Sequence, residues 1–488
     1  MGKSSGILRQ AGPLMLGRTG ATVLAFALPL ILTRLLPQAE FGTYKQVWLV
    51  VTTAYFMLQL GLSQSLYYFI PRKDGRQQAW LTQASVSLVT LGGVCAVILY
   101  SSRFVLARQF ANPELAGFAL PMALITWLMI AAAPLEISLT AEGRVRTAAA
   151  IIFLSDAVRV SASVVPLLLG MGLHGFFWAY VLHAAVRFGL QCWFFFRRGR
   201  PRLDWHLMRE QLAYALPFGA AVLLDIPQRT FHQWAVGWSV EPAAFAIYAQ
   251  GCFQVPIINL LYAPISDILQ VRLADPSARD QRLHLFHDAN LRLAAVFLPF
   301  TAGMIAAASL FIPALFTHLY DASVPIFQVA ILLTPFAALP LDGVLRATGH
   351  TRYLFRIFFW RLLVTAACVL LGLKLFGMIG AIAGHAVAES AVRFAMLDRV
   401  RRELEASWRD VLPWRQLAVI AVASLVAAIP ALAITRMAAS APRPFLALVA
   451  AGVLYCVAYL AVIAMMPGEG SALSRIRRVL LGHTPATA

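Results

Sequence analysis

Apolar residues run in long stretches along this chain, and the charged residues gather in short segments between them. An apolar run of about 20 residues is long enough to cross the hydrocarbon core of a bilayer as a helix. Inside lipid, backbone N–H and C=O groups must be paired within the segment itself, which favours helices. The pattern predicts fourteen membrane-spanning helices, at residues 12–35, 43–69, 80–100, 117–140, 148–170, 173–196, 212–238, 243–269, 291–317, 324–345, 353–374, 376–397, 416–435 and 444–466.

Composition narrows the class of protein further. Hydrophobic residues make up 60% of the chain and charged residues only 13%, with a mean hydropathy of +0.74. These values exclude a water-soluble globule and a disordered chain. The long uniform runs exclude an outer-membrane barrel built from short alternating strands. We therefore predict an all-α polytopic membrane protein.

Cysteine usage and motifs argue against an enzyme. The five cysteines are scattered through the apolar runs and form no C-x-x-C pair, which argues against a disulfide framework and a zinc site. The sequence carries no Walker A, G-x-S-x-G or G-x-G-x-x-G motif. No predicted loop is long enough to hold a catalytic domain. We expect neither an enzymatic activity nor a cofactor.

The net charge of +18 comes from Lys and Arg residues that are concentrated in alternate loops. Clusters lie at residues 72–76, 197–202 and 399–402. Because cytoplasmic loops of membrane proteins are enriched in Lys and Arg, this asymmetry predicts that both termini are cytoplasmic. The basic segment 471–480 is either an amphipathic helix on the inner leaflet or a frayed tail. No nucleic-acid-binding module is present, so the charge does not indicate a nucleic-acid partner.

The chain also repeats itself, with matching patterns spaced by about 205 residues. The pattern F-x-x-Y-x-Q at 41–46 recurs at 245–250, L-x-A-x-G-x-x-R at 139–146 recurs at 345–352, and A-V-R-F at 185–188 recurs at 391–394. Six predicted helices separate the copies, and an even number gives both copies the same polarity in the membrane. The repeat predicts two six-helix lobes, at 1–200 and 201–410, with accessory spans 13 and 14 and a basic tail at 411–488.

Charged side chains inside the predicted spans are candidate substrate contacts, because intramembrane charges usually face a cavity or a partner. The basic candidates are Arg18, Arg159, Arg187, Arg229, Arg361 and Arg393. Amides are further candidates, although each is more often an interhelical hydrogen-bond partner. The amides selected are Gln46, Gln250, Gln254 and Asn259.

Acids near these arginines leave two interpretations open. Three acids lie three or four residues from an arginine of the same span, and they are Asp156, Asp225 and Glu389. Each is either one half of a self-neutralising helix pair or a coupling site for an ion. The arginines without an acid at these spacings are Arg18, Arg187 and Arg361. We therefore expect an interior that is basic on balance.

A basic, amide-containing cleft fits an anionic solute that is rich in hydroxyl groups. Guanidinium groups bind phosphate oxygens through charge-assisted hydrogen bonds, which are often bidentate. Each unpaired hydroxyl disfavours entry into hydrocarbon by about 4–8 kcal/mol. A hydrated cleft between two similar lobes would remove most of that barrier.

The segment 34–44, with the sequence RLLPQAEFGTY, resembles the connection between spans 1 and 2 of polysaccharide-biosynthesis flippases. These belong to the superfamily of multidrug, oligosaccharidyl-lipid and polysaccharide (MOP) exporters. The resemblance implies a MATE-like fold and a Wzx-like flippase in a prokaryotic cell inner membrane, working by alternating access. Its implied substrate is an undecaprenyl-pyrophosphate-linked oligosaccharide for lipopolysaccharide or exopolysaccharide synthesis. Its implied partners are membrane lipids, the polysaccharide polymerase and the chain-length machinery.

Two alternatives within the superfamily remain open. A lipid II flippase is the first, because a basic residue in span 1 is a feature of that branch and Arg18 is similarly placed. A MATE-type multidrug and cation antiporter is the second, although it would favour a carboxylate in span 1, which this chain lacks.

Overall fold

The computed structural model describes residues 4–72, 75–199, 201–255, 257–275, 280–438 and 444–465. These residues are helical or irregular, and none of those described lies in a strand. The side chains of Arg18 and Asn259 and the basic segment 471–480 fall outside the described part, so the predictions made for them stay predictions. The described chain is an all-helical, multi-pass membrane protein.

Two compact units make up the chain, Met1–Ala246 (unit 1) and Ile247–Ala488 (unit 2). The boundary falls inside a short helix, and the predicted division at residues 200 and 410 stays a prediction. The helices that begin in unit 1 are α1 (Ser4–Leu35), α2 (Gln38–Leu58), α3 (Leu62–Phe69), α4 (Gln77–Ser101), α5 (Arg103–Gln109), α6 (Ala119–Ala132), α7 (Pro134–Ala141), α8 (Val145–Leu168), α9 (Gly172–Arg197), α10 (Trp205–Gly237) and α11 (Pro242–Gly251).

Unit 2 continues with helices of very different length. They are α12 (Ile257–Ala274), α13 (Arg282–Phe316), α14 (Val324–Ile331), α15 (Leu341–Ala347), α16 (Thr351–Glu403), α17 (Trp414–Met437) and α18 (Pro444–Met465). Helix α16 contains both predicted spans 11 and 12, and its backbone leaves the helical conformation at Phe376 and Gly377. Gly377 has φ +61° and ψ −146°, a region that is essentially restricted to glycine. A Cβ atom on Gly372 or on Gly380 would overlap the carbonyl oxygen of the other, so the two arms of this hairpin pack backbone to backbone.

The predicted spans coincide with helical segments within the described chain, but four of them are broken. Span 2 is divided into α2 and α3, span 4 into α6 and α7, span 8 into α11 and α12, and span 10 into α14 and α15. Eight described helical stretches are long and apolar enough to cross a membrane when α6 and α7 count as one stretch and 318–347 as another, or nine when α2 and α3 count as one bent span. The count of fourteen is compatible with this and stays a prediction.

Local chemistry explains the breaks. Gly61 has φ +74° between α2 and α3, where the chain leaves the helical path. Pro134 begins α7 and Pro340 precedes α15, and proline cannot donate the backbone hydrogen bond that would continue a helix. Hydropathy alone does not register these turns, because the residues on both sides of each turn remain apolar.

The same packing recurs in both units, which confirms the duplicated architecture. In unit 1, α3 packs on α7 and α6 packs on α9. In unit 2, the equivalent helix α12 packs on α15, and α14 packs on α16. The broken spans are also repeat equivalents, since spans 2 and 8 and spans 4 and 10 occupy the same places in the two copies.

The accessory helices α17 and α18 pack against α13 in unit 2. Their contact is built from small and aromatic residues, including Ala294, Ala423 and Tyr455. The Tyr455 hydroxyl donates to the carbonyl of Pro299 at 2.7 Å, which ties α18 to α13. Many other large apolar side chains are exposed, as a surface that faces lipid requires.

Candidate functional site

A cavity of about 260 Å³ lies inside unit 1. Helices α1, α2, α6, α8 and α9 contribute its walls. Three of the lining side chains are basic, and they are Lys45, Arg159 and Arg187. Arg159 and Arg187 are sequence-predicted candidates, and the fold brings them together from α8 and α9.

Arg159 is oriented by its own helix. Its Nε donates to Asp156 Oδ1 at 2.9 Å, and both residues line the cavity. The guanidinium carbon also lies 5.9 Å from the centroid of the Tyr180 ring, within the range of a cation–π contact. The i,i+3 pairing that the sequence left open therefore forms, and it neutralises one of the three cations.

Arg187 is paired as well, which corrects the expectation that it would be free of carboxylates. Its Nη2 donates to Glu136 Oε1 on α7, and the side chains of Arg187 and Glu136 are only 24% and 18% exposed. The partner lies 51 positions away, so the search for acids three or four residues along the helix missed it. Glu136 supports Arg187 but does not itself line the cavity.

His183 stands one turn before Arg187 and also lines the cavity. Its Nε2 lies 2.9 Å from the backbone oxygen of Ser155, which can only accept. We therefore assign the proton of the neutral ring to Nε2, which leaves Nδ1 as an acceptor. Nδ1 has no hydrogen-bond partner among the described residues.

Aromatic side chains form the other wall of the cavity, and sequence analysis did not select them. They are Tyr44, Trp48 and Tyr55 on α2, together with Tyr180 on α9. The Trp48 and Tyr180 rings pack edge to face with centroids 5.4 Å apart. Positions 44, 48 and 55 share one face of an α-helix, so this spacing is the signal that could have revealed the wall. Lys45 lies near the start of α2 and also lines the cavity, whereas hydropathy places it next to a loop.

The three predicted amides whose side chains the structure describes do not line the cavity. Gln46 is fully buried, and its Oε1 accepts from Asn112 Nδ2 at 2.7 Å, which ties α2 to the segment before α6. Gln250 is buried in α11, and its amide has no hydrogen-bond partner among the described residues. Gln254 is exposed in the irregular segment after α11. Gln46 thus forms a hydrogen bond between two segments of unit 1, and its role as a substrate contact stays a prediction.

Arg229 is not part of the cavity either. It lies on α10, and its Nε contacts Asp225 Oδ2 at 2.8 Å in an i,i+4 pair. The Arg229 side chain is 67% exposed. The structure thus places Asp225 and Arg229 in a helix-surface pair.

Unit 2 contains a second charged cluster. Glu389 Oε1 contacts Arg393 Nε, and Glu389 Oε2 contacts Arg361 Nη2, both at 2.8 Å. Arg361 is therefore paired, which corrects the second expectation of an arginine free of carboxylates. Nearby, the Tyr262 hydroxyl donates to Asp342 Oδ1.

The two charged clusters occupy repeat-equivalent positions. With the repeat spacing, Glu136 corresponds to Asp342 and Arg187 to Arg393. Position 183 is histidine in unit 1, whereas its equivalent in unit 2 is Glu389. Glu389 forms an i,i+4 ion pair with Arg393 on the same helix. Among the described residues, no group of His, Cys, Asp and Glu could hold a metal ion.

Comparison with known proteins identifies the class to which this fold and cavity belong. The sequence profile of the family described as polysaccharide biosynthesis protein matches residues 31–325, which is more than half of the chain. The chain belongs to this family. No curated protein sequence matches it significantly.

Solved structures confirm the fold. The lipid II flippase MurJ in its inward closed conformation superposes with a TM-score of 0.71 at 11% identity, covering 93% of this chain and 98% of that one. An inward-facing multidrug resistance MATE transporter of the MOP superfamily gives 0.60 at 16% identity, covering 82% and 99%. A MOP superfamily transporter from Pyrococcus furiosus gives 0.55 at 15% identity, covering 82% and 96%.

These comparisons confirm the MOP-superfamily resemblance and the MATE-like fold predicted from the sequence. The structural neighbours are a flippase and transporters, in line with the prediction that the chain is not an enzyme. At these identities the likeness to the solved structures establishes the fold, while the family match establishes the link to polysaccharide biosynthesis.

Proposed function

We propose that the protein is a flippase that moves a polyprenyl-pyrophosphate-linked oligosaccharide from the cytoplasmic to the outer leaflet of the inner membrane. The observation that carries the proposal is the unit 1 cavity, where basic and aromatic side chains meet inside a lipid-facing bundle of the polysaccharide biosynthesis family. In this proposal the two lobes alternate in access, and both termini are cytoplasmic.

The composition of the cavity supports a polar head group that is attached to an anionic anchor. Lys45, Arg159 and Arg187 outnumber the two carboxylates that they meet, Asp156 and Glu136. A sugar hydroxyl that enters hydrocarbon without a partner loses about 4–8 kcal/mol of solvation. The cavity offers donors and acceptors to replace water, while the polyprenyl chain remains in the bilayer.

Two alternatives share the fold. A lipid II flippase would move the same kind of anchor with a different head group. A MATE-type antiporter would bind cations, and Asp156 in the cavity wall is the observation that favours it. Its carboxylate, however, already accepts from Arg159, which weakens its attraction for a cationic drug.

The test uses the full chain reconstituted into liposomes with one probe, polyprenyl pyrophosphate carrying N-acetylglucosamine. An impermeant enzyme outside cleaves the pyrophosphate of every probe molecule that reaches the outer leaflet. In liposomes with the protein, we expect cleavage to exceed the fraction of probe that starts in the outer leaflet. In empty liposomes, cleavage should stop at that fraction. Lipid II as a second probe distinguishes the two flippase activities by relative rate.

A parallel assay follows ethidium uptake driven by a Na⁺ or proton gradient. Ethidium transport without probe transfer would contradict the proposal and establish the antiporter. The variant Arg187→Gln should slow probe transfer at least tenfold, because a charged hydrogen bond to the head group is lost. Arg292→Gln is the matched control, because Arg292 is half exposed and pairs with Asp288 away from the cavity.

The remaining parts of the proposal concern partners. A flippase of this kind delivers its substrate to a polymerase and to chain-length machinery on the outer face. Membrane lipids surround the exposed apolar side chains, and nothing in the proposal requires a cofactor.

A further inference from the structure

We propose that the unit 1 cavity is a subsite for a single sugar ring, the one nearest the anchor, and that it does not hold the pyrophosphate. This inference rests on the proposed function and refines it. It follows from the pairing of the arginines, from the aromatic wall, and from the absence of aromatic counterparts of Trp48 and Tyr180 in unit 2.

The charges of the cavity wall disfavour a pyrophosphate inside it. Arg159 and Arg187 each already hold a carboxylate, and a pyrophosphate in the cavity would also lie against Asp156, which lines it. Like charges at such distances repel in a medium of low dielectric constant. A sugar hydroxyl has no such conflict, because it donates one hydrogen bond and accepts others. The Arg159–Asp156 pair presents a donor and an acceptor side by side, which matches two neighbouring hydroxyls of one ring.

The aromatic wall of the cavity is suited to a sugar ring. Trp48 and Tyr180 both line the cavity, and their rings hold each other in place by packing edge to face. A pyranose has one face lined with C–H groups, and an aromatic face is its natural partner in water because both surfaces are apolar. The Tyr44 and Tyr55 rings extend this wall and carry hydroxyls of their own.

Cavity size supports the same conclusion. The volume of about 260 Å³ lies just below the range of about 300–1,000 Å³ that is usual for sites that enclose a drug-sized ligand. A single sugar ring is of a size that such a space can hold. His183, which also lines the cavity, has at Nδ1 an acceptor without a partner among the described residues.

The repeat shows which residues of the cavity wall are particular to unit 1. The segment 41–50 aligns with 245–254 through the shared F-x-x-Y-x-Q pattern, which places Cys252 at the position of Trp48. The A-V-R-F match likewise places Ala386 at the position of Tyr180. Glu136 and Arg187 have counterparts in Asp342 and Arg393, whereas Trp48 and Tyr180 have no aromatic counterpart. The aromatic wall is therefore not required by the fold, and a ligand accounts for it.

The experiment compares two probes in liposomes that contain the full chain. One probe is polyprenyl pyrophosphate alone, and the other carries N-acetylglucosamine on the same anchor. Both are detected by the same external cleavage of the pyrophosphate. We expect the sugar-bearing probe to cross at least tenfold faster, since a bound ring adds contacts that the bare anchor cannot make.

Variants then assign the difference to the wall. Trp48→Ala should slow the sugar-bearing probe about tenfold and the bare probe much less. Trp48→Phe keeps a ring and should restore most of the rate, which guards against a folding defect. Trp178→Ala is the control, because Trp178 lies on α9 and is 46% exposed outside the cavity.

The outcomes separate the two proposals. Equal rates for the two probes, or equal slowing of both by Trp48→Ala, would overturn the sugar subsite while leaving the flippase intact. Transfer of neither probe above the level of empty liposomes would contradict the proposed function itself. The comparison of probes with the unaltered chain needs no variant, so a failure of Trp48→Ala to fold does not prevent the decision.

Discussion

The contact between Arg187 and Glu136 makes a quantitative prediction about stability. It joins α9 to α7 inside unit 1, and its two side chains are 24% and 18% exposed. Arg187 Nε has no further partner among the described residues, so Glu136 is the principal compensation for the buried charge. Removing one partner of a buried pair destabilises a protein by about 3–5 kcal/mol. The partial exposure places the expected loss for Glu136→Gln near the lower end, at about 3 kcal/mol.

A double-mutant cycle isolates this pair. Glu136→Gln, Arg187→Gln and the double variant would be unfolded reversibly in mixed micelles by titration with dodecyl sulfate, followed by circular dichroism. Because the double variant leaves no uncompensated charge, its loss should be smaller than the sum of the single losses, with a coupling energy of about 2 kcal/mol.

The pair formed by Arg229 and Asp225 is the matched control. Its nitrogen and oxygen lie 2.8 Å apart, and the arginine is 67% exposed. Exposed i,i+4 pairs contribute about 0.3–0.5 kcal/mol. Additive losses at Arg187 and Glu136, with a coupling energy as small as that of the control, would show that the pair is hydrated and that the reasoning from burial is wrong.

Three further changes test the packing. Gly384→Ala should destabilise the chain by about 1–3 kcal/mol, because a Cβ there would overlap a backbone oxygen across the α16 hairpin, whereas Gly452→Ala on α18 meets nothing within 4 Å and should be neutral in the same unfolding titration. Asn112→Ala removes the donor to buried Gln46 and should lower the free energy of unfolding by about 1–3 kcal/mol, while the folded fraction keeps its transfer rate for the sugar-bearing probe. A changed probe preference would mean that this amide pair acts on the substrate. Glu389→Gln leaves two arginines without their shared carboxylate and should lower the unfolding free energy by about 3 kcal/mol, and an unchanged midpoint would show that the cluster is already solvated.

Sequence patterns predicted the positions of the helical segments and the duplication, because both depend on hydropathy and on short motifs read along the chain. They did not predict the breaks inside spans, since Gly61 and Pro134 change backbone direction without changing apolarity. The pairing of Arg187 with Glu136 was also missed, because spacing along one helix carries no information about contacts between helices.

Buried amides show the same limit. Gln46 and Gln250 occupy equivalent positions in the repeated pattern, yet Gln46 bonds to Asn112 and Gln250 has no partner among the described residues. Tertiary surroundings decided the role of each amide, whereas the aromatic wall could have been found from the spacing of Tyr44, Trp48 and Tyr55 on one helix face.

Arg187 and Arg393 occupy equivalent positions in the two copies of the repeat, yet they pair differently. The residue four positions earlier accounts for the difference. Glu389 lies four residues before Arg393 and retains it on its own helix, whereas His183 in the same register leaves Arg187 to reach across to α7. Arg393 is therefore held within α16, whereas Arg187 lines the unit 1 cavity. By the same reasoning, His183→Glu should place a carboxylate one turn before Arg187, where it would pair with the guanidinium and release Glu136.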